Sequence, residues 1–223
     1  MLKVGIVGCG MIGKEHAKRI QYKIMGAEVV AVCDVFEAGA KAASDLIGGV
    51  KIYTDADALI ADPDVDAIVV TTPGNFHKNP ILSAIKAGKP VFTEKPLTTT
   101  AADCKEIVDA EMASGKHLVQ VGFMRRYDRG YAEMKRIIDS GELGAPLLIK
   151  ACHRNVSQGP GFQTENGITN VAIHELDICR WLLSDEYEDA QCVRVRQSAN
   201  STKGYDNPQV VLLRTKKGCF IDV

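Results

Sequence analysis

The sequence has no apolar run approaching the roughly 18 residues that a membrane-spanning helix needs. Its opening, MLKVGIVGCG, is too short and too rich in glycine for a signal peptide. A cytosolic protein with no membrane contact is expected. Basic runs are also missing: none is longer than Arg125-Arg126 or Lys216-Lys217, and 27 Lys plus Arg stand against 28 Asp plus Glu, for a net charge of -1. Nothing there would neutralise a phosphate backbone, so nucleic acid is not an expected partner. The seven cysteines, at positions 9, 33, 104, 152, 179, 192 and 219, are odd in number and include no C-x-x-C. They form neither a disulfide framework nor a zinc site, and a reducing compartment fits them. Internal repeats and low-complexity segments are absent.

What is present is an ordinary globular composition, 46% hydrophobic and 25% charged over 223 residues. Through the first half, short apolar runs rich in β-branched residues alternate with longer stretches of helical period. Strands are expected at Lys3 to Val7, Val29 to Cys33, Ala67 to Thr71, Val91 to Thr93 and Leu118 to Val121. Helices are expected at Met11 to Met25, Glu37 to Leu46, Asn79 to Ala87 and Thr100 to Ser114, the last stopped by Gly115. Alternation of this kind predicts an α/β Rossmann domain, a doubly wound parallel sheet, over residues 1–122.

After Gly122 the pattern changes. A helix from Tyr131 to Ser140, a turn at Gly141 to Pro146 and a strand from Leu147 to His153 precede a polar loop from Asn155 to Gly167. A helix from about Thr169 to Leu183 follows, then strands at Gln191 to Ser198, Gln209 to Thr215 and Gly218 onward. Short connections between those strands predict an α+β domain with a mostly antiparallel open sheet over residues 123–223. The closing GCFIDV falls inside an expected strand, so the chain reads as cut short at its C-terminus.

Gly8-Cys9-Gly10-Met11-Ile12-Gly13 follows the first strand and opens the first helix, the setting in which G-x-G-x-x-G is informative. The first glycine allows the tight turn, the second lets backbone N–H groups approach a pyrophosphate, and the third lets helix and strand pack closely. Asp34 closes the second strand, where a carboxylate can accept hydrogen bonds from the adenosine ribose hydroxyls. It would repel a 2′-phosphate, and Val35 and Phe36 offer no cation to pair one, so NAD is expected over NADP.

Two segments could carry chemistry beside such a cofactor. Glu94-Lys95-Pro96 ends the strand beginning at Val91, where a parallel sheet presents ligand-binding residues, and a Lys there can share a hydroxyl proton. In the second half, Asn170, His174 and Asp177 at i, i+4 and i+7 are expected on one helix face. His174 can take a hydroxyl proton near neutral pH. HELD lacks the second His of a zinc-binding H-E-x-x-H, so no metal is expected.

The glycine turn, EKPLTTT from Glu94, VGFMRRYD from Val121, HRN at His153 to Asn155 and HELDICRWLL from His174 together resemble the Gfo/Idh/MocA oxidoreductases, and within them the inositol dehydrogenase branch. The resemblance runs over essentially the whole chain. It implies NAD-dependent oxidation of a secondary hydroxyl of myo-inositol or a similar cyclic polyol. His174 would be the base, Lys95 the hydroxyl-orienting group, and Asn170 would stand where the family's third catalytic residue is an Asp. Glu94 and Lys95 would border the cofactor, with Arg125, Tyr127, His153 and Asn155 in or near the polyol pocket. It further implies a homo-oligomer, usually a tetramer, joined through the second-domain sheet. A sugar dehydrogenase of the same family and a non-catalytic NAD-binding regulatory protein remain alternatives.

Overall fold

The computed structural model describes residues 1–156, 161–200 and 204–223. Part of the polar loop expected between Asn155 and Gly167, residues 157–160, lies outside them. The chain divides into two compact units, Met1–Gly122 and Phe123–Val223.

The first unit runs β1 (Leu2–Val7), α1 (Met11–Lys23), β2 (Ala27–Cys33), α2 (Glu37–Asp45), β3 (Lys51–Tyr53), α3 (Ala56–Ala61), β4 (Ala67–Val70), α4 (Lys78–Lys86), β5 (Val91–Thr93), α5 (Ala101–Ser114) and β6 (Val119–Val121). All six strands are parallel, in the order β3-β2-β1-β4-β5-β6. This is the doubly wound order, whose direction reverses between β1 and β4. Strand alternation sends Val4, Ile6 and Val32 to a core shared with Ala17, Ile20, Ala40 and Ala43 of α1 and α2. Ala31, Cys33, Ile68 and Val70 pack on Leu59, Ile81, Ala84 and Ile107 on the other face. Both faces are therefore covered, which is why these strands are continuous apolar runs. Helix α5 begins where the Thr100 hydroxyl accepts the Asp103 N–H, and ends at Gly115, whose φ of 68° is left-handed. Strand β3 and helix α3 are additions to the expected set.

The second unit contains α6 (Arg129–Ser140), β7 (Leu148–Lys150), a π-helical segment Gly167–Ala172 running into α7 (Ile173–Leu183), β8 (Tyr187–Arg194), β9 (Gln209–Thr215) and β10 (Phe220–Asp222). Asp128 starts α6 two residues earlier than expected, because its carboxylate accepts the Gly130 and Tyr131 N–H groups. The sheet order is β7-β10-β9-β8, antiparallel except for the parallel β7–β10 pair. Its core is Ile178, Cys179 and Leu182 of α7 against Val211, Leu213 and Ile221. Two strands differ from expectation: β7 is three residues long, and β8 lies four residues earlier than Gln191 to Ser198. The expected single α-helix from Thr169 is instead π-helical up to Ala172. Gly167 there approaches Gln209 so closely that a Cβ would stand 2.7 Å from its Nε2.

Candidate active site

In the first unit the turn between β1 and α1 is built by close approach. Gly8 has φ +101°, and a Cβ on it would lie 2.5 Å from the Thr72 nitrogen. A Cβ on Gly13 would overlap the Gly8 carbonyl oxygen, whereas above Gly10 nothing lies within 4 Å. The Thr71 hydroxyl donates to the Gly8 carbonyl at 2.6 Å, holding the turn to the exit of β4. Helix α1 has no side-chain cap at Gly10 and no acidic residue in its first turn, so its leading N–H groups are not taken up by a capping side chain. Met11 and Ile12 are exposed there. Beside the turn, among the described residues, the buried Thr72 hydroxyl lacks a hydrogen-bond partner. An uncapped helix start, room above Gly10 and an orphaned hydroxyl together suit a pyrophosphate-bearing ligand.

Asp34 joins this turn directly: its Oδ2 accepts the Cys9 N–H at 2.7 Å and its Oδ1 accepts the Phe36 N–H at 2.9 Å. Burial, then the Asp34 charge, pushes the neighbouring Cys9 thiol up to about 12, so Cys9 is no thiolate nucleophile at neutral pH.

Glu94 and Lys95 leave the end of β5. Glu94 Oε1 lies 2.8 Å from His16 Nε2 of α1, and the His16 ring meets Phe92 edge-on with centroids 5.5 Å apart. Burial raises the Glu94 carboxyl, but His16 and the adjacent Lys95 outweigh it and hold the group below its ordinary range. Lys95 is pushed below the ordinary lysine range by burial, with Glu94 opposing. An amine so depressed gives up or shares a proton more readily.

The second unit gathers its polar residues around α7. His174 and Glu175 are buried at 9% and 2% exposure. Glu175 Oε1 forms an ion pair with Arg125 Nη1, and Glu175 Oε2 lies 3.1 Å from His153 Nδ1. The rings of His153 and His174 stack with centroids 6.0 Å apart and an interplanar angle of 27°. Arg126 grips the buried Asp177 through two nitrogens, with Nε at 2.9 Å from Oδ2. His153 and Asn155 line a cavity of about 670 Å³ together with Arg154, Asn207 and Gln209.

Of the residues expected here, Arg125, His153 and His174 come together, with Asn155 beside His153, while Tyr127 is 68% exposed in the turn that follows Met124. The expected common face of Asn170, His174 and Asp177 is altered. Asn170 lies in the π-helical segment, where α-helical i, i+4 spacing does not hold, and is exposed, while Asp177 is engaged by Arg126. Glu175, His16 and Thr72 were not singled out by sequence. Glu175 follows His174 directly, yet its partners are 50 and 22 residues away, beyond any local spacing signal.

Comparison with known proteins then places the chain. Residues 2–123 match a family model described as "Oxidoreductase family, NAD-binding Rossmann fold". Residues 131–223 match the GFO/IDH/MocA C-terminal domain. Inositol 2-dehydrogenase of Pseudomonas syringae pv. syringae is 48% identical over all 223 residues, and that of Azotobacter vinelandii 49%. The chain spans 66% of the length of each. The solved myo-inositol dehydrogenase of Lactobacillus casei, in complex with NAD(H) and myo-inositol, superposes with TM-score 0.96 at 43% identity, covering all of this chain and 66% of that one. Two domain models that together take in nearly every residue establish that the chain belongs to the Gfo/Idh/MocA oxidoreductase family.

Proposed function

We propose that this chain serves the NAD-dependent oxidation of a secondary hydroxyl of myo-inositol, or of a similar cyclic polyol, to the ketone. The observation that carries the reading is similarity, over all of this chain and 66% of the other, to a dehydrogenase solved with NAD(H) and myo-inositol, in a chain that has Lys95 at the exit of β5 and His174 on α7. NAD, when bound, supplies the hydride acceptor at nicotinamide C4. The uncapped N–H groups after Gly10 would hold its pyrophosphate and Asp34 its adenosine ribose, the remaining carboxylate lone pairs being free for the hydroxyls.

Oxidation removes a hydride from the carbon and a proton from its oxygen. His174 would accept the proton, and Lys95, its amine already depressed by burial, would orient and polarise the hydroxyl. Arg125, His153 and Asn155 supply hydrogen-bonding groups suited to vicinal hydroxyls. The Glu175 carboxylate, beside His153 Nδ1 at 3.1 Å, favours the tautomer with the proton on Nδ1 and leaves Nε2 to meet ligand. In the working protein the sheet of the second unit is proposed to join subunits, as a tetramer. Among the described residues no helix is long and apolar enough to cross a membrane.

The test is to add NAD and myo-inositol to purified protein and follow NADH absorbance. Turnover that disappears in His174→Ala supports the assignment. NAD binding with no turnover, in this chain and in one extended to the length of its relatives, favours a non-catalytic NAD-binding role.

A further inference from the structure

His77 belongs neither to the glycine turn nor to the polar cluster around α7, yet it is 1% exposed and sits where the 3-10 turn Gly74–Phe76 enters α4. Its Nδ1 lies 2.8 Å from the Pro96 carbonyl oxygen and its Nε2 2.7 Å from the Thr72 carbonyl oxygen. Carbonyl oxygens only accept. A neutral ring therefore donates to one of the two, and a protonated ring to both. Thr72 follows β4 and Pro96 follows Lys95, so one buried ring links the exits of two adjacent strands.

The surroundings leave little play. The Thr93 hydroxyl lies 3.3 Å from His77 Nδ1 and donates to the Glu94 carbonyl at 3.2 Å, on the other side of Lys95. A Cβ on Gly74 would come within 3.0 Å of Pro96 Cγ and 3.5 Å of Thr99 Cγ2, so the 3-10 turn packs directly on the segment after Lys95. Lys95 thus stands between two backbone units, each held by a contact that leads to His77.

We propose that His77 is a positioning residue for Lys95, fixing the backbone on both sides of it so that the amine keeps one place at the strand exit. This rests on the reading of Lys95 as the hydroxyl-orienting group. Misplacing such a group by about 1 Å can cost on the order of 10²-fold in rate.

The experiment reads Lys95 without needing turnover. The chain is reductively methylated with a ¹³C label, the Lys95 resonance is identified by its loss in Lys95→Arg, and its titration is followed by NMR. His77→Ala removes the ring that spans the two carbonyls and should move the Lys95 midpoint up toward that of the other lysines. His77→Asn, whose amide can replace Nδ1 toward Pro96, should stay close to the starting protein, whereas His77→Gln, which reaches toward Thr72 instead, should follow His77→Ala. With turnover, His77→Ala should lower kcat on the order of 10²-fold at unchanged NAD affinity. An unmoved Lys95 midpoint in folded His77→Ala, or Asn and Gln variants that behave alike, overturns the proposal. If His77→Ala does not fold, the Asn and Gln pair decides. A responsive midpoint in a chain that never oxidises a polyol would refute the proposed function and leave the role of His77 standing.

Discussion

Replacing Glu175 by Gln removes one charge from a three-way contact while keeping its shape. The Glu175 side chain is 2% exposed, and those of Arg125 and His153 are 20% exposed. Removing one partner of a buried ion pair costs about 3–5 kcal/mol, because the other stays desolvated with nothing to answer it. Arg125 keeps some access to water and lies 5.9 Å from the Tyr131 ring centroid, which places the loss near the lower end, about 3 kcal/mol. The chain has one tryptophan, Trp181, and it lies on α7. Its fluorescence therefore reports the second unit. With a urea m-value of about 1–2 kcal/mol/M for a unit of this size, the midpoint should fall by roughly 1.5–3 M. A companion variant, Arg125→Met with Glu175→Leu, should recover most of the loss, since exchanging both partners for apolar groups is often nearly neutral. A fall of less than about 0.3 M in Glu175→Gln would refute the reasoning, because it would mean that water already solvates the cluster.

Four further outcomes are expected. Gly10→Ala should leave the melting temperature unchanged but weaken NAD binding in calorimetry, since its Cβ would enter the open space above the turn; Gly13→Ala should lower both, because its Cβ would overlap the Gly8 carbonyl. Asp34→Ser with Val35→Arg should raise NADP affinity relative to NAD, and comparable affinities in the unaltered chain would contradict the role given to Asp34. Lys95→Met should abolish turnover without lowering the melting temperature at neutral pH: a lysine depressed on folding binds more protons unfolded, so its cost is present at neutral pH and disappears as pH rises through the window below 10.5. Asn170→Asp should raise kcat and move the acid limb of its pH profile upward, with NAD affinity unchanged.

The doubly wound half was legible because its signals are local. Four of its strands, β1, β2, β4 and β5, are largely buried apolar runs, and the glycine turn is a matter of consecutive backbone geometry. Strand β3 escaped because it is a three-residue edge strand with Lys51 and Ile52 exposed, so no apolar run marks it. Strand β8 was displaced for a related reason: most of Tyr187–Arg194 is exposed, and burial imposes little alternation on it. The π-helical segment was hidden because Thr169 to Leu183 satisfies a helical period in either form. The ion pairs of Glu175 and Asp177 join positions about fifty apart, and only the folded chain brings them together.

Those same ion pairs determine what Asn170 means for the proposed chemistry. If the family's Asp serves to stabilise the imidazolium formed when the base takes its proton, a chain with Asn there must find that stabilisation elsewhere. The two carboxylates nearest His174 in sequence are buried, but each already answers an arginine, Glu175 with Arg125 and Asp177 with Arg126. Proton arrival at His174 therefore adds a positive charge to a cluster whose charges are already matched. On the proposed reading the remaining help would come from local dipoles and from the amide oxygen of Asn170. In the serine-protease triad an Asp to Asn change costs about 10⁴ in turnover, largely through the wrong imidazole tautomer. Here Glu175 fixes His153, whose ring in turn stacks on that of His174 with centroids 6.0 Å apart. A gain in kcat for Asn170→Asp together with an upward shift of the acid limb would then report added charge stabilisation, whereas a gain with no shift would report orientation alone.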